Sequence, residues 1–182
     1  ETLALRRISC HNWVSDMGIE IERKFLVIGD SWREGARGLF YRQGYLSTEK
    51  ERTIRVRIAG SQGFLTIKGE SAGAVRAEYE YEIPVADARE MLENLCSRPL
   101  IEKTRYTVGF AGMRWEIDEF AGENEGLIVA EIELADERAH IDLPPWTGRE
   151  VTGDPRYYNS SLARTPYRSW SPDRLISTPD HR

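Results

Sequence analysis

Histidine and cysteine are scarce in this sequence, and their scarcity removes whole classes of chemistry. Three histidines, His11, His140 and His181, occur in 182 residues. None falls in a strand pattern, so His-dependent nucleophilic catalysis is not expected. The two cysteines, Cys10 and Cys96, make neither a disulfide scaffold nor a zinc site, which points to a reducing compartment. No apolar run approaches the roughly 18 residues of a spanning helix, and the N-terminal stretch lacks the apolar core of a signal peptide. A cytoplasmic location is the expectation. A surplus of positive charge is missing too: 25 Lys+Arg stand against 30 Asp+Glu, a net charge of −5. That balance argues against a nucleic acid or an anionic membrane as partner. It leaves room for an anion held in a local basic pocket.

What is present is an ordinary globular composition, 40% hydrophobic and 30% charged, of a length that suits one domain. Residues 1–16 show no steady periodicity and precede Met17-Gly18, so they read as a leader or upstream segment. Residues 17–165 read as the domain, and 166–182, rich in Ser, Pro, Asp and Arg, as a tail. Short alternating runs between Gly- and Pro-bearing turns predict strands at about 18–28, 38–47, 53–59, 63–69, 75–83, 102–110, 113–120 and 126–134. Gly60-Ser61-Gln62-Gly63 and Ala111-Gly112 read as hairpin turns. One helix is expected from Asp87 to Cys96, with Asp87 as its cap, Glu90 completing a capping box, and Met91, Leu92 and Leu95 as its apolar stripe. Shorter helical turns are expected near 135–140 and 159–163.

Residues i and i+2 of a strand share a face. Glu20, Glu22 and Lys24 therefore stand together, opposite Ile21 and Phe25. Arg55 and Arg57 oppose Ile54, Val56 and Ile58, and Thr66 and Lys68 oppose Leu65 and Ile67. Glu78, Glu80 and Glu82 oppose Tyr79, Tyr81 and Ile83. Lys103 and Arg105 oppose Thr104 and Tyr106. Arg114, Glu116 and Asp118 oppose Trp115 and Ile117, and Glu131 and Glu133 oppose Ala130 and Ile132. Taken one strand at a time, a charged face is a solvated face. Seven strands with charged faces, sorted into basic and acidic rows, need another account, because one helix cannot cover all their apolar faces. Closing the sheet with its charges inward lets them neutralise one another, while helices, loops or a partner subunit cover the apolar outside. A membrane barrel is rejected, since Arg23 and Glu119 face outward in mid-strand and a helix interrupts the strands.

A triphosphate, with roughly four to five negative charges, uses both kinds of row: Arg and Lys hold its oxygens, and carboxylates hold hard cations that bridge to it. Phosphoryl transfer proceeds by positioning and charge neutralisation, without a Ser, Cys or His nucleophile.

The motifs Glu20-Ile-Glu22-Arg23-Lys24-Phe25-Leu26-Val27, Arg42-Gln43-Gly44-Tyr45-Leu46, Arg55-Val56-Arg57, Leu65-Thr66-Ile67-Lys68, Glu78-Tyr79-Glu80, Glu102-Lys103-Thr104-Arg105-Tyr106, Glu116-Ile117-Asp118 and Glu131-Ile132-Glu133 occur in this order. The set resembles the CYTH superfamily, the triphosphate tunnel metalloenzymes, over about residues 18–165. The resemblance implies a mainly β fold, an eight-stranded antiparallel closed barrel with a few flanking helices. It also implies Mg²⁺- or Mn²⁺-dependent hydrolysis or cyclisation of triphosphates. On it, Glu20, Glu22, Asp118, Glu131 and Glu133 are metal ligands, and Lys24, Lys103 and Arg105 act in catalysis. Tyr45, Arg55, Arg57 and Lys68 join those three basic residues around the substrate. Glu78, Glu80 and Glu116 serve a second metal or orient the basic residues. The segment Arg156-Tyr157-Tyr158-Asn159 resembles the approach to a helix that closes one tunnel end. The compact form looks most like bacterial inorganic triphosphatases acting on tripolyphosphate. A class IV adenylate cyclase, a thiamine or nucleoside triphosphatase and a non-catalytic polyphosphate-binding module are the alternatives. The expected partner is a small-molecule polyphosphate, with room for a homodimer.

Overall fold

The computed structural model describes residues 21–49, 51–72, 75–134, 136 and 139–170. Glu20, Cys10, His11 and His181 lie outside the described residues, as does most of the turn expected near 135–140.

Nine strands form one antiparallel sheet: β1 (Ile21–Val27), β2 (Arg37–Glu49), β3 (Arg52–Ala59), β4 (Gln62–Ala72), β5 (Val75–Ile83), β6 (Ile101–Phe110), β7 (Met113–Ala121), β8 (Ile128–Leu134) and β9 (Thr147–Glu150). Their order is β5-β4-β3-β2-β6-β7-β8-β1-β9. The period-2 pattern located the first eight, and both expected hairpins are present. In the β6–β7 turn Ala111 and Gly112 both take positive φ, 49° and 77°, as a tight two-residue hairpin of the primed type requires.

The sheet departs from the expected ring of eight in one respect. Its end strands β5 and β9 are not joined by backbone hydrogen bonds among the described residues. The edge of β1 that would meet β5 is already taken. Strand β9 pairs with it at Phe25 and Val27, Thr152 Oγ1 accepts from the Lys24 amide at 3.0 Å, and the Lys24 carbonyl accepts from the Val151 amide at 2.8 Å. Four residues sufficed for this ninth strand, too few to show an alternating pattern.

The charged face nevertheless points inward. Lys103, Asp118 and Lys24 are only 2%, 1% and 7% exposed, although among the described residues no second sheet lies over them. Burial of that depth requires the sheet to curl around its own charged side chains. The convex face carries two apolar clusters. Phe25, Trp115, Ile117, Ala130 and Ile132 pack with Trp32, Ile141 and Trp146 from the flanking loops. Val56 packs under Ala88, Leu92 and Cys96 of helix α1 (Val85–Asn94) and its C-terminal turn. Arg23 and Glu119 face outward as expected, paired with Glu150 at 2.6 Å and Arg33 at 2.6 Å.

Helix α1 starts two residues earlier than its composition suggests. Pro84, not Asp87, precedes the first turn, and its carbonyl accepts from the Ala88 amide at 3.0 Å. Pro84 has no amide hydrogen to leave unpaired there. The shift also changes the buried stripe to Ala88, Leu92 and Cys96, at spacing i, i+4, i+8, and leaves Leu95 64% exposed. Leu92 is fully buried, so Leu92→Ala should lower the unfolding free energy by about 2–5 kcal/mol in urea titration. Leu95→Ala should cost well under half as much.

Candidate active site

Alternation carries the concave face through three zones. At one end Leu26, Tyr45, Ile101, Phe120 and Val129 form an apolar floor. It is closed by Val151, Tyr157 and Leu162 from the segment leading through the short helix α2 (Asn159–Leu162). Tyr167 and Trp170 pack against the same cluster. At the other end Glu22 and Glu133 sit directly opposite each other on β1 and β8, both exposed. Between them lies an array of buried ion pairs.

Lys24 faces Glu131 across the β1–β8 ladder and bonds it at 2.7 Å, with Glu22 at 2.6 Å on its other side. Burial works against the lysine's charge, yet Glu131 and Glu22 outweigh it and raise its pKa above the ordinary ammonium range. Lys103 Nζ lies 2.5 Å from Asp118 Oδ2 and 3.5 Å from Asn159 Oδ1, under the ring of Phe120. Arg105 donates to Asp118 through Nε at 2.7 Å and Nη2 at 2.6 Å, to Glu131 at 3.0 Å, and to Glu116. Burial alone would raise the pKa of Asp118, but Lys103 and Arg105 hold it well below the usual carboxylate range. Glu131 is partly buried, and Lys24, Arg105 and Lys103 together depress its pKa against desolvation and the neighbouring Asp118 charge. For Lys103 burial wins: sharing Asp118 with Arg105, it has a lowered pKa.

A second group lies on β3, β4 and β5. Arg57 bonds both oxygens of Glu80 at 3.0 Å, Arg55 reaches Thr66 Oγ1 at 3.1 Å, and Lys68 pairs with Glu78 at 2.6 Å. The ring of Tyr41 connects the two groups, 5.8 Å from the Arg57 guanidinium carbon and 5.6 Å from that of Arg105. Burial and the charge of Arg55 lower the pKa of Arg57, only partly offset by Glu80. The Nε–H groups of both Arg55 and Arg57 are buried and meet no acceptor among the described residues. A buried donor without an acceptor is costly, and two adjacent ones suit a bound oxyanion.

The structure thus brings Lys24, Arg55, Arg57, Lys68, Lys103, Arg105, Glu78, Glu80, Glu116, Asp118 and Glu131 onto one face. Glu22 and Glu133 lie at its rim, and Tyr45 lies in its floor. It does not gather the anticipated metal ligands into one cation-free cluster. Among the described residues no group of three ligating side chains stands open to a metal ion, because lysines and arginines occupy the space between the carboxylates. Tyr41, Gln43, Thr66 and Asn159 share this space, although none was assigned a site role from sequence. For the first three the signal was parity with Tyr45 and Lys68. Asn159 belongs to the segment expected to close one end, but nothing local marks its own approach to Lys103.

Asp118 and Glu131 have pKa values below those of the unfolded chain, so their pairs contribute stability in full above about pH 4.5. That contribution is lost as pH falls through the folded values. The unfolding midpoint should be flat in this respect down to about pH 4.5 and then fall. Asp118→Asn strands Lys103 and should cost about 3–5 kcal/mol at pH 7 while flattening the acid limb, both read by urea unfolding.

A family model described as the CYTH domain matches residues 18–165. A curated protein of Acetivibrio thermocellus, named an inorganic triphosphatase, is 56% identical over 154 residues, covering 85% of this chain and 99% of its own length. One from Nitrosomonas europaea with the same name is 41% identical over 149 residues, covering 79% and 96%. A crystal structure described as that of an inorganic triphosphatase superposes with a TM-score of 0.61 at 39% identity, covering 79% of this chain and 97% of the other.

Proposed function

The chain belongs to the CYTH domain family, and on that premise we propose that it hydrolyses inorganic tripolyphosphate with the help of a divalent cation. The observation that carries this reading is the pair of buried, unpartnered Nε–H groups of Arg55 and Arg57 beside a face whose other cations are all within reach. Lys24, Arg55, Arg57, Lys68, Lys103 and Arg105 bind the phosphate oxygens, the arginines through forked bonds and the lysines as point charges. Each of these cations already has a carboxylate partner. A polyanion that takes the cations leaves the buried Asp118 and the largely buried Glu131 without counter-charge, which is prohibitive unless other cations replace them. Metal dependence follows from this exchange.

The donor set suits hard ions. Glu22, Asp118, Glu131 and Glu133, with Glu20 beyond the described residues, offer oxygen ligands of the kind Mg²⁺ and Mn²⁺ prefer. When bound, such an ion neutralises charge on the phosphoryl oxygens and lowers the pKa of water. The protein's own part is to hold the chain of phosphates in line, with Lys103 at the closed end and Glu22 at the rim. The arginine forks take up charge as the bridging oxygen departs with diphosphate. The floor supports the inorganic substrate: Leu162 is fully buried, and Phe120 and Tyr157 are nearly so, so the closed end is filled by protein.

With Mg²⁺ or Mn²⁺, tripolyphosphate should yield orthophosphate and diphosphate, and EDTA should stop the reaction. ATP and thiamine triphosphate should turn over more slowly. Cyclic AMP from ATP would reassign the chain as a cyclase, faster release from either organic substrate would reassign its specificity, and binding without products would make it a polyphosphate-binding module. Glu22→Gln should abolish metal-dependent turnover, and Lys103→Ala should lower kcat by roughly 10²–10³-fold. Near-normal rates in both would refute the assignment.

A further inference from the structure

Arg105 differs from the other cations of the face in how it is held. Lys68 pairs with Glu78, and Lys103 with Asp118. The Arg105 guanidinium instead stands among three carboxylates from two neighbouring strands: Asp118 and Glu116 of β7 and Glu131 of β8. Glu116 and Glu131 are direct cross-strand partners, an arrangement of like charges that destabilises a sheet. Asp118 adds to the repulsion on Glu131. Three acids so placed need a cation between them, and in this structure a side chain supplies it.

We propose that Arg105 is the resident counter-cation of the Glu116–Asp118–Glu131 cage, holding it against divalent ions until a triphosphate draws the guanidinium away, so that metal and triphosphate bind with positive coupling. The proposal rests on the reading of Asp118 and Glu131 as metal ligands. Its physical basis is a competition with two outcomes. With the guanidinium in the cage, the carboxylate oxygens are occupied and a metal ion gains little. With the guanidinium turned to phosphate, it keeps forked bonds of equal quality. Lys24, Lys103 and Arg114 still each bond one acid of the cage, but the one cation common to all three is gone, and a divalent ion relieves the repulsion that remains. A phosphate chain and a metal ion therefore favour the same position of Arg105, and by linkage each strengthens the binding of the other. The free protein, for the same reason, resists loading with metal alone. The move needs only side-chain rotation, because the backbone of β6 is fixed by pairing to β2 and β7 on both sides.

The test uses the full chain with Mn²⁺ and no phosphate of any kind. Free Mn²⁺ is followed by electron paramagnetic resonance, and thermal unfolding is measured in EDTA and in Mn²⁺. Arg105→Gln should bind Mn²⁺ at least about tenfold more tightly than the unmodified chain. It should melt lower in EDTA and gain more Tm from Mn²⁺. Arg105→Lys keeps the charge but cannot bond all three acids, so its gain should be smaller. If the glutamine variant does not fold in EDTA, the lysine variant carries the comparison. Arg42→Gln removes a cation that pairs with Glu102 and Glu93, away from the cage, and should leave Mn²⁺ affinity within about twofold. Equal or weaker Mn²⁺ binding by the Arg105 variants overturns the role of Arg105 while leaving the metal site standing. An equal gain in Arg42→Gln overturns it as well, since net charge would then explain the effect. Failure of every variant to bind Mn²⁺ removes the metal assignment itself, an outcome separable from turnover of tripolyphosphate.

Discussion

The structure depends on keeping Asp118 ionised in a place where water cannot reach it. It is 1% exposed and survives as a carboxylate because Lys103 and Arg105 close on it from the adjacent strand. Such a cluster is unforgiving. Removing one member leaves a buried charge without a partner, and the array tolerates only the geometry that serves all its members. The antiparallel ladder provides that geometry. Arg105 sits opposite Asp118, and Lys24 opposite Glu131, so opposite charges meet across strands while the strands themselves stay in register.

The convex packing fixes the same register from the other side. Trp115, Ile117, Ala130 and Ile132 are the alternating neighbours of Glu116, Asp118 and Glu131, and they are buried under Trp32 and Trp146. A slip of one residue would exchange the two faces, placing charges against tryptophan and aliphatic side chains in the tunnel. The apolar cluster and the ion array thus specify each other. The closing segment adds a third constraint. Tyr157 and Leu162 cover the floor, and Asn159 reaches Lys103, 56 residues away in the chain, so the closed end is fixed by a segment that follows all the strands it seals.

The open join between β5 and β9 has a related cause. Strand β1 spends its second edge on β9, Val151 and Thr152, the stretch that leads into the closing segment. The chain thereby anchors its plug to the strand that carries Lys24. The face with Arg55, Arg57 and Lys68 sits on the far arm of the sheet, where side chains are more exposed and the counter-charge thinner. One arm is densely neutralised and the other holds unsatisfied donors, a polarity along the tunnel wall that suits an extended polyanion.

The strands, their partition into charged and apolar faces, and the family were legible in the sequence, because side-chain direction in a strand is local and has period two. The cap of α1 was read three residues late, and its stripe on Leu95 in place of Ala88 and Cys96, since a proline at a helix start and a buried alanine carry weaker local signals than an aspartate and leucines. Three things came only with tertiary structure: that β9 occupies the edge of β1, that Asn159 arrives at Lys103, and that Glu116, Asp118 and Glu131 are held by Arg105. Each is a relation between residues distant in the chain, and periodicity reports only which residues share a side. Which charge meets which is decided by register, curvature and burial, and these exist only once the sheet has formed.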